Sequence, residues 1–126
     1  MAIAKISRPR RVGSTVRYLT GPLDNAGRRR DMVKVVASTI GREPDVAIKF
    51  LNQVAKLRPR LKCHLYHAAI SVPQTDRELS PKDWAEIGRS WCAGMGIENY
   101  MIVLHDAHIH ILGSRIRLDG TVAPDK

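Results

Sequence analysis

Apolar residues recur along this chain with two different spacings, and the change from one to the other marks its elements. Between Pro44 and Leu57 they fall at Ala47, Phe50, Leu51, Val54 and Leu57, which is the spacing of one helix face, with Pro44 suited to the first turn and Pro59 to the stop. A second helix is better marked. Ser80 stands as its cap, Pro81 takes the first position, Asp83 completes a capping box, Leu79 can staple onto Trp84, and Gly96 supplies the stop. Its stripe is Trp84, Ile87, Trp91 and Met95, so both tryptophans are expected in the core rather than as platforms for stacked bases.

The remaining apolar segments read as strands: Ala2 to Ser7, Met32 to Ile40, Lys62 to Val72, Tyr100 to Leu104 and His108 to Leu118. Ser14 to Leu19 predicts a short helix capped by Ser14 and closed by Gly21-Pro22, and the polar stretch Asp24 to Asp31 an exposed loop or hairpin tip. The last two strands lie so close in sequence that they should pair as an antiparallel hairpin. These elements predict an α+β layer fold, an antiparallel β-sheet backed by helices on one face, in a single domain over residues 1–126.

The hairpin also carries the chain's densest chemistry. His105-Asp106-Ala107-His108-Ile109-His110 places three of the five histidines within six residues. On a strand His108 and His110 share one face, their bases roughly 7 Å apart, while Ile109 and Ile111 face the core. Neutral imidazole is the commonest metal ligand, so the pair is a candidate metal site, with His105 or Asp106 as the third contact. His64 and His67 fall on opposite faces of their strand and read as strand histidines. Tyr66 and Tyr100 sit in apolar strands, where a buried phenol bonded to the backbone is the expected role.

Charge then narrows the partner. Lys and Arg number 21 against 12 Asp and Glu, a formal net charge of +9. Arginines gather as Arg8, Arg10, Arg11 and again as Arg28, Arg29, Arg30, which suits phosphate contacts along a polyanion such as nucleic acid. No apolar run is long enough to span a bilayer, and the start Met1-Ala2-Ile3-Ala4-Lys5 lacks the order of a signal peptide, so a cytoplasmic protein is expected. Cys63 and Cys92, without CxxC spacing, read as structural thiols.

Several segments together resemble the relaxases, or mobilisation nucleases, of the HUH endonuclease class, named for histidine, hydrophobic residue, histidine. His108-Ile109-His110 fits that triplet. Tyr66-His67-Ala68-Ala69-Ile70-Ser71-Val72-Pro73 is similar to the family's strand before its helix, and Trp84-Ala85-Glu86-Ile87-Gly88 with Met95-Gly96 to that helix. Ser114 to Gly120 is similar to the segment after the histidines, and Ala4-Lys5-Ile6-Ser7 followed by Arg17-Tyr18-Leu19-Thr20-Gly21-Pro22 to the family's start.

The resemblance implies a relaxase-like fold and a site-specific endonuclease that nicks single-stranded DNA at a plasmid or mobile-element transfer origin. It implies Tyr18 as nucleophile, a 5′-phosphotyrosyl intermediate, and a divalent metal, Mg or Mn, held by His105, His108 and His110. Asp106 would orient a histidine or accept the tyrosine proton, the arginines Arg8, Arg10, Arg11, Arg28, Arg29 and Arg30 would bind DNA, and accessory mobilisation proteins would be partners.

Two features depart from the family. Only Asp106 and Ala107 separate His105 from the His-x-His pair, where a longer loop with a carboxylate is usual, so either His105 ligates from a shortened turn or the third ligand is displaced. The chain also stops six residues after Asp119-Gly120, as a minimal or truncated form would. A non-catalytic nucleic-acid-binding module derived from a relaxase is the alternative reading, and a small basic ribosome-associated protein a third.

Overall fold

A computed structural model describes residues 3–24, 26–73 and 78–124 of the chain. The elements run β1 (Ile3–Ser7), α1 (Val12–Thr20), β2 (Val33–Ser38), α2 (Pro44–Ala55), β3 (Leu65–Ser71), α3 (Pro81–Met95), β4 (Asn99–His105) and β5 (His108–Ser114). The strands form one antiparallel sheet in the order β1-β3-β5-β4-β2, so the histidine hairpin β4–β5 lies at its centre.

Helices cover both faces of this sheet, where one face was expected. The reason lies in the central strands, which are apolar on both sides. Tyr66, Ala68, Ile70, Ile102, Leu104, Ile109 and Ile111 make one face and pack under Trp84, Ala85 and Cys92 of α3. Leu65, Met101, Val103 and Leu112 make the other, covered by Val12, Val16 and Leu19 of α1 and by Ala47 and Leu51 of α2.

The signals of α3 are met in full. Ser80 Oγ accepts from the Asp83 N–H, the Asp83 carboxylate accepts from the Ser80 N–H, and Gly96 ends the helix in the left-handed region at φ 73°. Trp84 is buried and Trp91 packs against the same core, as the stripe predicts. Gly88 lets α3 lie close to the sheet, because a Cβ there would meet Ile102 side-chain atoms at 2.6 to 3.1 Å.

Several boundaries differ from expectation: β2 is Val33–Ser38 rather than Met32–Ile40, α2 ends at Ala55 rather than Leu57 and β3 starts at Leu65 rather than Lys62, and two further differences have a clear cause. Helix α1 begins at Val12 with Arg11 as N-cap, and Ser14 is an exposed residue within its first turn. The buried stripe Val12, Val16 and Leu19 sets the start, so packing overrides the capping preference of Ser14. Strand β5 ends at Ser114 rather than Leu118, and the chain then turns through Asp119 and Gly120 so that Ile116 bridges Val122. The segment Asp24 to Asp31 is a hairpin-like turn closed by a Leu23 to Arg29 bridge, with Asn25 outside the described residues.

Candidate metal and phosphate site

The short loop between His105 and His108 brings the three histidines together. Asp106 and Ala107 alone make the turn, so His105 and His108 are directly opposed cross-strand partners, and opposed partners in an antiparallel pair share a face. His110 lies two residues further along that face, opposite Val103. One nitrogen from each of His105, His108 and His110 falls within a 4.8 Å cluster. A ligand role for His105 from a shortened turn, one of the two alternatives the sequence leaves open, requires this arrangement.

Asp106 occupies the turn with φ 51°, a left-handed conformation that Asp tolerates better than most residues. Its Oδ1 accepts the backbone N–H of Met32 at 2.8 Å, tying the hairpin tip to the start of β2. Its charge also lies close enough to favour the protonated forms of His105 and His108.

Opposing influences dominate. Burial pushes His105 down to about 4 and His110 to about 3, with neighbouring imidazoles and the Arg30 guanidinium adding to the shift. Burial lowers His108 and His67 as well. All four rings are therefore neutral at pH 7, the form in which an imidazole nitrogen can bind a metal.

Each of two ligand candidates has its second nitrogen occupied. His105 Nε2 donates to the Leu19 carbonyl at 2.5 Å, which leaves Nδ1 with the lone pair. His110 Nδ1 lies 2.7 Å from His67 Nε2, and His110 Nε2 lies 3.1 Å from His108 Nε2. Ring nitrogens clustered with no fourth ligand among the described residues suit a divalent ion that keeps open positions for other oxygens. An all-imidazole set fits manganese or zinc more readily than magnesium.

The end of α1 docks onto this cluster. Its last carbonyls have no partner within the helix, and two side chains take them up. His105 bonds the Leu19 oxygen, and Arg30 Nη1 donates to the oxygens of Tyr18 at 2.7 Å and Gly21 at 2.8 Å. A cation at a helix C-terminus is also favoured by the helix dipole. The Arg30 guanidinium lies 4.8 Å from the centre of the Tyr18 ring, and its charge acts on His105, His108 and His110. Tyr18 itself is 39% exposed.

The other arginines do not converge on the cluster. Arg8 lies 5.2 Å over the ring of Tyr66, a residue of the α3-side core, and Arg10, Arg11, Arg28 and Arg29 are exposed around α1 and the following turn. Tyr66 is fully buried, its hydroxyl donating to the Pro124 carbonyl at 2.8 Å, which is the role its strand context predicts.

Sequence reasoning passed over two residues here. His67 abuts His110 because β3 pairs with β5 in a register that sets Ala69 opposite His110 and His67 two residues away on the same face. Lys5 lines, with Ala69, Ser71, Ala107 and His108, an open pocket of about 340 Å³ beside the cluster. Small side chains on β3 leave that end of the face uncovered. The basic residue in Ala4-Lys5-Ile6-Ser7 was the available signal for Lys5, and the odd-numbered parity shared by His67, Ala69 and Ser71 the signal for His67.

Neutral imidazoles converging at the open end of a sheet, in a chain of net charge +9, are a donor set that could hold a metal ion on a surface suited to a polyanion. Residues 18–126, nearly the whole chain, match the family model described as Relaxase: MobA/VirD2-like, nuclease domain, and the chain belongs to that family. DNA nicking, single-stranded DNA binding and use of a divalent metal are the general properties that membership brings. Comparison with the curated proteins and with the solved structures gave no match. Among the described residues no helix is long and apolar enough to cross a membrane.

Proposed function

We propose that this chain is a relaxase-type endonuclease that nicks single-stranded DNA at a plasmid or mobile-element transfer origin, with Tyr18 as nucleophile. The observation that carries the reading is the docking of α1 on the histidines. Leu19 is hydrogen-bonded to His105, and Arg30 spans from the Tyr18 ring to the electrostatic neighbourhood of all three imidazoles.

His105, His108 and His110 would hold the divalent ion, Mg²⁺ or Mn²⁺ by the habit of the family. When bound, such an ion supplies charge stabilisation to the nonbridging oxygens of the scissile phosphate. Tyr18 attacks the phosphorus through its phenolic oxygen, the P–O3′ bond breaks, and the 3′ oxygen leaves as a hydroxyl once it has taken a proton. The phenol gives up its own proton, with Asp106 or solvent as acceptor. A 5′-phosphotyrosyl bond replaces the phosphodiester, so the strand can be rejoined by the reverse reaction.

Arg30 has two tasks in this scheme. It holds the last turn of α1, and its guanidinium, 4.8 Å from the centre of the Tyr18 ring, restrains that ring. Lys5 and the pocket beside His108 offer a seat for the next phosphate along the strand, with Arg10, Arg11, Arg28 and Arg29 as outer phosphate contacts.

The test is incubation with labelled single-stranded oligonucleotides from the native genetic neighbourhood plus Mn²⁺, resolved on a denaturing gel. A covalent band that needs the metal and vanishes in Tyr18→Phe and His108→Ala is expected. DNA binding with neither adduct nor cleavage across metals and origin sequences would instead make the chain a non-catalytic binding module.

A further inference from the structure

The contact between His67 and His110 has no place in a three-histidine metal site as such, yet it is the shortest link between two imidazoles in the protein, 2.7 Å from Nε2 to Nδ1. The rings stack with centroids 5.0 Å apart and planes 26° from parallel. On its far side His67 Nδ1 faces Ser7 Oγ of β1 at 3.4 Å. A polar row thus crosses the sheet from β1 through β3 to β5 and ends at the cluster.

An imidazole can ligate only through the nitrogen that lacks a proton, and a neutral ring has one of each. Whatever fixes the proton on Nδ1 therefore presents Nε2. For His105 the fixing partner is the Leu19 carbonyl, an acceptor by its chemistry. For His110 no carbonyl or carboxylate among the described residues takes that place, and the partner of Nδ1 is a second imidazole.

We infer that His67 is a positioning residue of the metal site: it accepts the Nδ1–H of His110 and so turns the Nε2 lone pair of His110 toward the cluster. The inference rests on the metal reading above and adds to it a residue outside the three ligands. Position argues against a ligand role for His67 itself. Its Nε2 is occupied by Nδ1 of His110, and the two nitrogens of an imidazole diverge, so a group bonded to one does not lie where the other points. The Ser7 hydroxyl, able to accept from His67 Nδ1–H, completes the order of donors and acceptors.

Substitution separates the possibilities. Gln places an amide oxygen near the position of the imidazole Nε2 and can accept the same proton, whereas Leu fills similar space and cannot. Mn²⁺ binding to the full chain is measured by titration calorimetry for the wild type, His67→Leu and His67→Gln, with thermal melts to confirm that each is folded. Loss of an outer partner typically weakens metal binding by about 10- to 100-fold, which is the loss expected for His67→Leu, and His67→Gln should recover most of it. Equal affinity in the wild type and His67→Leu would overturn the inference while leaving the metal site intact. So would equal weakness in His67→Gln and His67→Leu, which marks His67 as a direct ligand. A wild type that takes up no Mn²⁺ would overturn the metal reading itself, and this inference with it.

Discussion

Ile109 and His110 are neighbours on β5 that point to opposite faces of the sheet, and their surroundings differ as much as their side chains. Ile109 is fully buried beneath α3 in an apolar layer that runs through Ile70, Leu104 and Ile111. His110 sits on the α1 and α2 face, where apolar cover extends over Leu65, Met101 and Leu112 and gives way to histidines, Ser71 and Lys5. One face spends all its area on stability, and the other divides it between a core and a site. The division falls where α1 stops, and the helix end that closes the core also carries Tyr18.

Exchanging roles across the two faces is the strongest way to break this comparison. Ile109→Ala should cost about 2 to 5 kcal/mol of unfolding free energy, measured by urea denaturation, because it opens a cavity in close packing. The folded fraction should keep the Mn²⁺ affinity of the wild type, since the metal face is untouched. Gly88→Ala probes the tightness of the same closed face. The added methyl meets three atoms of Ile102, and displacement of α3 should cost about 1 to 3 kcal/mol.

Acid should act most strongly on the open face. His105 and His110 ionise in the folded protein near 4 and 3, below the ordinary 6.5, because burial disfavours their charged forms. Below about pH 6.5 the unfolded chain therefore binds more protons than the folded one, so stability is full above that pH and declines as pH falls toward 3 to 4. Melting temperatures across pH 4 to 8 should show this slope, and His110→Leu should flatten it. The smallest expected effect is the most telling. At pH 7.5 His110→Leu should change stability by no more than about 1 kcal/mol, since the loss of a half-buried polar group offsets the unpaired Nε2 left on His67. Mn²⁺ binding should nonetheless be lost. Adjacent residues would then show stability without function and function without stability.

How much of this could be read from the chain depended on the range of the interactions. Local signals held: the capping box of α3, the hairpin, the shared face of His108 and His110, and the burial of Ile109 and Ile111 all follow from neighbours in sequence. What failed was set by distant partners. Strands apolar on both sides needed two helix layers, yet alternation alone does not say which helix goes to which face. Arg30 belongs by sequence with Arg28 and Arg29, but the fold gives it the carbonyls of Tyr18 and Gly21 to bind. His67 is an ordinary strand histidine until the register of β3 on β5 sets it beside His110.

The central claim, that the open face cleaves DNA through a tyrosine held at its edge, is tested most directly by locating the covalent bond. After reaction with an origin oligonucleotide and Mn²⁺, the protein is digested with trypsin and nuclease and the peptides are analysed by mass spectrometry. Peptide 18–28 carries a single tyrosine, Tyr18. A nucleotide joined through its 5′ phosphate to that peptide is the result predicted here. A nucleotide on a peptide bearing Tyr66, Tyr100 or a histidine, or cleavage that leaves no residue modified, would contradict it.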